Sequence, residues 1–146
     1  MKKGMVLFLS AVIVLAICLK TYEITSDTAR HTKEFIKQWE TNQRTEGTFS
    51  SLIPFEYDQM IVFNPSMTKQ EMVTLLGFQD IHIKESEDGM HNIVFVKENK
   101  ITAYLYGYHS FQVIIPDGKY NQSQINKMTY TQHHHVYTII TKIVTN

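Results

Sequence analysis

The spacing of apolar residues changes several times along this chain, and each change marks an element. Met5 to Leu19 is an uncharged run of fifteen residues behind Lys2 and Lys3. From Asp27 to about Arg44 the pattern turns helical. Phe35, Ile36 and Trp39 form one narrow apolar stripe there, after a polar stretch from Arg30 to Lys33, and Asp27 or Thr28 can cap the start. Phe55 to Phe63 reads as a strand, stopped by Asn64-Pro65. Thr68-Lys69-Gln70-Glu71 is a capping box for a two-turn helix carrying Met72, Val73, Leu75 and Leu76 and closing at Gly77. Ile81-His82-Ile83 is a short extended piece, followed by an acidic turn at Glu85 to Gly89. Asn92–Lys97 and Ile101–Tyr106 predict a hairpin joined around Glu98-Asn99. Phe111 to Ile115 is a strand ended by Pro116-Asp117-Gly118. Tyr120 to Met128 is polar and reads as loop or one irregular turn. His134 to Val144 is rich in β-branched residues and reads as the last strand.

The sum is an α+β domain. The pattern predicts a mostly antiparallel meander sheet of about five strands, with one or two helices on one face and an N-terminal membrane segment in front. The expected organisation is a signal anchor or signal peptide at 1–20, a stalk helix at 21–47 and a globular domain at 48–146.

The leader sets location. As a helix, Met5–Leu19 would rise about 22 Å at ~1.5 Å per residue. A bilayer core of about 30 Å usually takes ~17–25 residues. The run is therefore short for a span, and Lys2, Lys3 and Lys20 must snorkel if it anchors. Ala16-Ile17-Cys18 is a poor peptidase site. Leu15-Ala16-Ile17-Cys18 matches a bacterial lipobox at its first two positions and departs at Ile17, which leaves Cys18 a candidate lipidation site with an imperfect motif. Retention as an uncleaved anchor needs no motif. The two N-terminal lysines favour a cytoplasmic N-terminus, against the opposing Lys20, so the domain is expected outside. Cys18 is the sole cysteine, so the domain forms no internal disulfide.

Charge then excludes one class of partner. Beyond Lys20 the chain holds 11 Lys and Arg against 14 Asp and Glu, so it lacks the basic footprint of a nucleic-acid binder. The aromatic content of 12% suits a packed domain rather than a disordered one.

Phe55 to Phe78, with Ile93 to Lys97, resembles small exported proteins and lipoproteins of Gram-positive bacteria whose function is uncharacterised. The shared features are an aromatic-Asp strand, a Pro step, a capped helix ending Leu-Gly and a later Val-Phe-Val-Lys strand. The chain departs at Ser66, where those proteins favour Tyr. The resemblance implies an exported α+β domain and brings no catalytic residues.

Candidate chemistry is sparse. On a strand His133 and His135 share a face and could ligate zinc or copper, with His109, His82 or His91 supplying a further nitrogen. The simpler reading is a solvated strand start. Glu56 and Asp58 lie two apart and could pair as acid and base. With Tyr57, Ile61 and Phe63 expected on the core face, both acids fall on the wet face, where Asp58 can bond a nearby loop. Tyr104, Tyr106 and Tyr108 alternate on one face and form a candidate interaction surface, since Tyr gives large area at low entropic cost. The alternative is a sheet face half covered by the Trp39 helix. Glu85, Glu87 and Asp88 lack calcium-loop spacing. No Gly-x-Ser-x-Gly and no phosphate-cradling glycine loop occurs. No catalytic residue and no cofactor is expected.

These features favour a non-enzymatic, membrane-tethered extracytoplasmic binding or accessory protein, held by residues 5–19, with a protein partner at the envelope. Immunity against a toxin, or membership of an envelope complex, would suit it. The alternative is a metal-binding sensor or chaperone using the histidine cluster.

Overall fold

The structure is a computed structural model describing residues 27–80, 83–85, 91–106, 112–133 and 136–141. Helix α1 occupies 27–41, followed by β1 (Glu46–Thr48), a 3-10 turn (Phe49–Leu52), β2 (Gln59–Phe63) and α2 (Lys69–Leu76). After these come β3 (Asn92–Lys97), β4 (Lys100–Leu105), β5 (Gln112–Ile114), β6 (Gly118–Asn121), α3 (Gln122–Ile125), β7 (Met128–His133) and β8 (Val136–Thr141). The class is α+β, as the pattern predicts. Among the described residues no helix is long and apolar enough to cross a membrane; Met5–Leu19 and Cys18 lie outside them.

The single five-strand meander is not what forms. The strands make two four-stranded sheets, ordered β4-β3-β2-β6 and β1-β7-β8-β5. Three differences produce this. The last strand expected from His134 forms as β8, but β7, a strand the pattern does not mark, precedes it and pairs with it antiparallel, with His133 opposite Val136. β5 leaves the meander and pairs parallel to β8. Gly118–Asn121, divided in the sequence reading between the Pro116–Gly118 turn and the polar stretch from Tyr120, is an edge strand on β2, and an edge strand needs only alternate burial. Of the strand expected from Phe55, only Gln59–Phe63 joins a ladder.

The strand β2 is apolar without alternation because both of its faces are covered. Met60 and Val62 face a core shared with Phe35 and Trp39 of α1, Phe49 and Leu52 of the 3-10 turn, and Met128, Tyr130 and Ile139 of the second sheet. Ile61 and Phe63 face the other way, onto Met72 and Leu76 of α2 and Ile83. Each fully buried large apolar side chain contributes roughly 1.5–3 kcal/mol of transfer free energy. The helices thus lie on opposite faces of the β2 sheet rather than on one. The Trp39 stripe packs on the domain as the sequence suggests, and the boundary expected between 47 and 48 falls inside β1.

The hairpin β3–β4 forms around Glu98 and Asn99, both in the left-handed region at φ 50° and 58°. Two such residues match the right-handed strand twist. Phe95 lies opposite Ala103, whereas Val96 lies opposite Ile101, so Thr102 is an extra residue in β4. This bulge turns Ile101 to the α2 side while Ala103 and Leu105 stay on the α1 side.

β4 is a sheet edge, and α1 covers it. Thr28 Oγ1 donates to the Ile101 carbonyl at 2.9 Å, the His31 ring meets the Thr102 carbonyl at 3.1 Å through Nδ1, and the Tyr104 amide donates to Thr32 Oγ1 at 3.0 Å. Side chains one helical turn apart thereby occupy edge groups that a further strand would otherwise take.

Candidate functional site

One face and one end of the β2 sheet carry polar chemistry, as does a cleft beside Tyr130 of the second sheet. The face is that of Tyr104 and Tyr106, whose rings stack at 6.0 Å. Both are half-buried. They point to the α2 side, away from Trp39, because Ala103 and Leu105 take the α1 face. The face is partly covered by the segment 83–85. Ile83 fills the core below α2, Asn92 Nδ2 donates to the Lys84 carbonyl at 2.9 Å, and the Tyr106 hydroxyl donates to the Glu85 carbonyl. Lys84 Nζ sits 6.0 Å from the Tyr106 ring centre.

The Glu85 carboxylate accepts the Lys69 amide at 2.9 Å, so an anion already stands at the α2 N-terminus. An open groove of about 820 Å³ adjoins it, lined by Thr68, Lys69, Gln70, Val73, Gln79, Asp80 and Glu85. Burial pushes the Tyr104 phenol well above its ordinary value, keeping it neutral; the Lys84 main chain approaches its hydroxyl without completing a hydrogen bond. The Tyr104 hydroxyl is itself buried, so Tyr104 offers a ring edge rather than a polar handle, and it is no base.

At the start of β3, His91 Nδ1 lies 2.9 Å from Asp117 Oδ1. Asp117 Oδ2 accepts from Asn64 Nδ2 at 2.8 Å, and Ser66 donates from both its amide and its hydroxyl to Asn64 Oδ1. An oriented imidazole beside a carboxylate is the start of a catalytic relay. Here the serine tied into the cluster gives its hydroxyl proton to Asn64, not to His91. The cluster clamps the turn after β2 to the turn before β6.

Beyond the α1 C-terminus lies an open cleft of about 650 Å³, lined by Gln38, Thr41, Asn42, Gln43, Arg44, Ser51, Leu52 and Tyr130. Asn42 Nδ2 donates to the Tyr130 hydroxyl at 2.9 Å and to the Arg44 carbonyl at 3.2 Å. Gly47 stands opposite Tyr130 in the β1–β7 ladder, and its missing Cβ leaves room for the Tyr130 ring. The lining is amide, hydroxyl and guanidinium, with no carboxylate, which suits a neutral or anionic polar ligand.

The residues singled out from sequence are scattered. Glu56 and Asp58 are exposed and do not pair with each other. Glu56 forms an ion pair with Lys97, and Asp58 Oδ2 accepts the Glu98 amide at 2.8 Å, a loop contact of the kind expected for it. They also precede β2 rather than lie in it, and Tyr57 joins the α1-side core while Ile61 and Phe63 join the other. His133 ends β7; His82, His109, His135, Tyr108, Glu87, Asp88 and Cys18 lie outside the described residues. Among the described residues no three His, Cys, Asp or Glu side chains are grouped to hold a metal ion.

Sequence reading missed the His91–Asp117–Asn64 cluster and the Asn42–Tyr130 cleft. Each joins residues dozens of positions apart, and no local spacing announces such a pairing. No family model matches the chain, and no curated protein or solved structure is similar to it.

Proposed function

We propose that this chain is a membrane-tethered, extracytoplasmic binding or accessory protein without catalytic activity, displayed at the cell envelope to engage a protein partner. The observation that carries the reading is the uncharged run Met5–Leu19 behind Lys2 and Lys3. A leader of this kind directs the domain behind it out of the cytoplasm, and the poor cleavage and lipobox matches favour its retention. The Tyr104–Tyr106 face and the cleft beyond α1 supply surfaces of the size and polarity that a binding protein presents.

The test has two parts. The full chain should stay in the membrane pellet after alkaline carbonate washing, with its domain open to protease added outside the cell. A mild-detergent pull-down should then recover a stoichiometric protein partner. Release into the soluble fraction at the mass of a processed chain removes the tether. A pull-down that recovers the chain alone removes the partner.

A further inference from the structure

Few residues connect the leader to the fold. Only residues 20–26 separate Leu19 from the first described residue of α1, and seven extended residues span at most about 25 Å. The place where α1 begins is fixed. Thr28 bonds the Ile101 carbonyl and His31 meets that of Thr102, so the α1 N-terminus lies beside the start of β4. Asp27, Thr28 and His31 line one shallow hollow with Lys97, Glu98 and Lys100. The α1 N-terminus and the Glu98–Asn99 turn therefore share one end of the domain. The helix then runs alongside β4, from Thr28 at Ile101 to Thr32 at Tyr104, and carries Gln38 to Arg44 to the far end. At ~1.5 Å per residue, α1 separates the two ends by about 20 Å.

We propose that the end carrying the Glu98–Asn99 turn lies against the phospholipid headgroups, and that the cleft at Gln38–Arg44 is turned away from the membrane toward the partner. This rests on the tethered reading above and adds an orientation to it. Charge does not drive the contact. Arg30 is engaged by Asp27 and Glu34 and Lys97 by Glu56, and Lys100 shares the hollow with Glu98, so the described residues of this end carry no surplus of positive charge to seek anionic lipid. The seven-residue connection limits how far this end can leave the bilayer, and the contact should persist at high salt, where surface electrostatics are screened.

The experiment uses the full chain with Cys18 intact, reconstituted into phosphatidylethanolamine–phosphatidylglycerol vesicles. A photo-crosslinking amino acid replaces either Lys100 or Gln43, both exposed. Lys100 is chosen over its neighbour Asn99 because the left-handed backbone at Asn99 would strain a bulky residue. After flotation and illumination, the proposal expects several-fold more lipid adduct at 100 than at 43, unchanged in high salt (about 0.5 M). Equal adduct at both positions, or more at 43, overturns the orientation while the tether stands. A protein–protein adduct at 100 in place of lipid also overturns it, by assigning that end to a second copy. A chain that fails to float with the vesicles overturns tether and orientation together.

Discussion

The Asp58 carboxylate accepts the main-chain amide of Glu98 at 2.8 Å, and it does so where the backbone is least comfortable. Glu98 carries φ 50°, a conformation that a side chain with a Cβ rarely adopts. The bond ties the entrance of β2 to the β3–β4 turn and holds Glu98 in that region. Asp58→Ala is expected to destabilise the fold by about 1 kcal/mol, with Asp58→Asn losing less because it keeps an acceptor. Urea midpoints with unchanged slope would show this. Equal midpoints for wild type and Asp58→Ala would mean the turn holds its own geometry.

Gly47 and Tyr130 show a second long-range dependence. A Cβ at 47 would stand 3.0 Å from both Cε1 and the hydroxyl oxygen of Tyr130. Tyr130 is 1% exposed, and its hydroxyl accepts from Asn42, so the ring cannot swing aside cheaply. Gly47→Ala should cost about 1–3 kcal/mol by overpacking, although alanine suits a strand no worse than glycine does. Thermal melting measures it. A variant as stable as wild type would show that the β1–β7 pair can spread.

How legible the molecule was depends on the range of each interaction. The Thr68–Glu71 box, the left-handed stop at Gly77 and the hairpin at Glu98-Asn99 all close within a few residues, and all form where the pattern places them. The second box, Asn121 with Gln124, is just as local, but its polar surroundings read as loop. What the pattern could not carry is partner choice among strands. Nothing near Gln112 indicates that β5 will pair parallel to β8 instead of joining β4. Nor does Tyr104 reveal which helix its face will meet. That depends on the bulge at Thr102, where α1 covers the strand edge. The site was less legible still, since His91 with Asp117 and Asn42 with Tyr130 are brought together only by the completed sheets.

Two exposed contacts give the fold a pH dependence of opposite sign at the two ends of the scale. The Glu71 carboxyl is held below its ordinary 4.5, first by the Thr68 amide and then by the Thr68 hydroxyl. Glu56 is held below 4.5 by the Lys97 ammonium, and Lys97 is raised above its ordinary 10.5 by Glu56. For the two acids the contribution is complete above 4.5 and is lost as pH falls through their lowered values. For Lys97 it is complete below 10.5 and is lost as pH rises through its raised value. Glu71→Gln should flatten only the acid limb of the stability curve, and Lys97→Met both limbs. In concentrated salt (about 1 M) the Lys97 effect should shrink and the Glu71 effect persist, because Lys97 and Glu56 are an exposed pair of opposite charges whereas the Glu71 cap bonds the uncharged amide and hydroxyl of Thr68. Identical curves for wild type and Lys97→Met would show that the Glu56 pair forms no lasting contact in solution.

Thr28 offers a test in which two physical effects oppose each other. It is 4% exposed, and its hydroxyl donates to the Ile101 carbonyl beside the β4 bulge. Valine has nearly the same shape and replaces the hydroxyl with a methyl, a change worth up to about 0.8 kcal/mol in favour of the fold by burial alone. It also leaves the Ile101 carbonyl without that donor, and an unsatisfied buried acceptor costs about 1–3 kcal/mol. The second effect should win, so Thr28→Val is expected to be less stable than wild type by about 1 kcal/mol. Loosening of the α1 N-terminus should also speed hydrogen exchange at the Tyr104 amide, which depends on Thr32 one turn further along the same helix. A valine variant as stable as wild type, with that amide equally protected, would show that apolar packing alone holds α1 to the sheet edge.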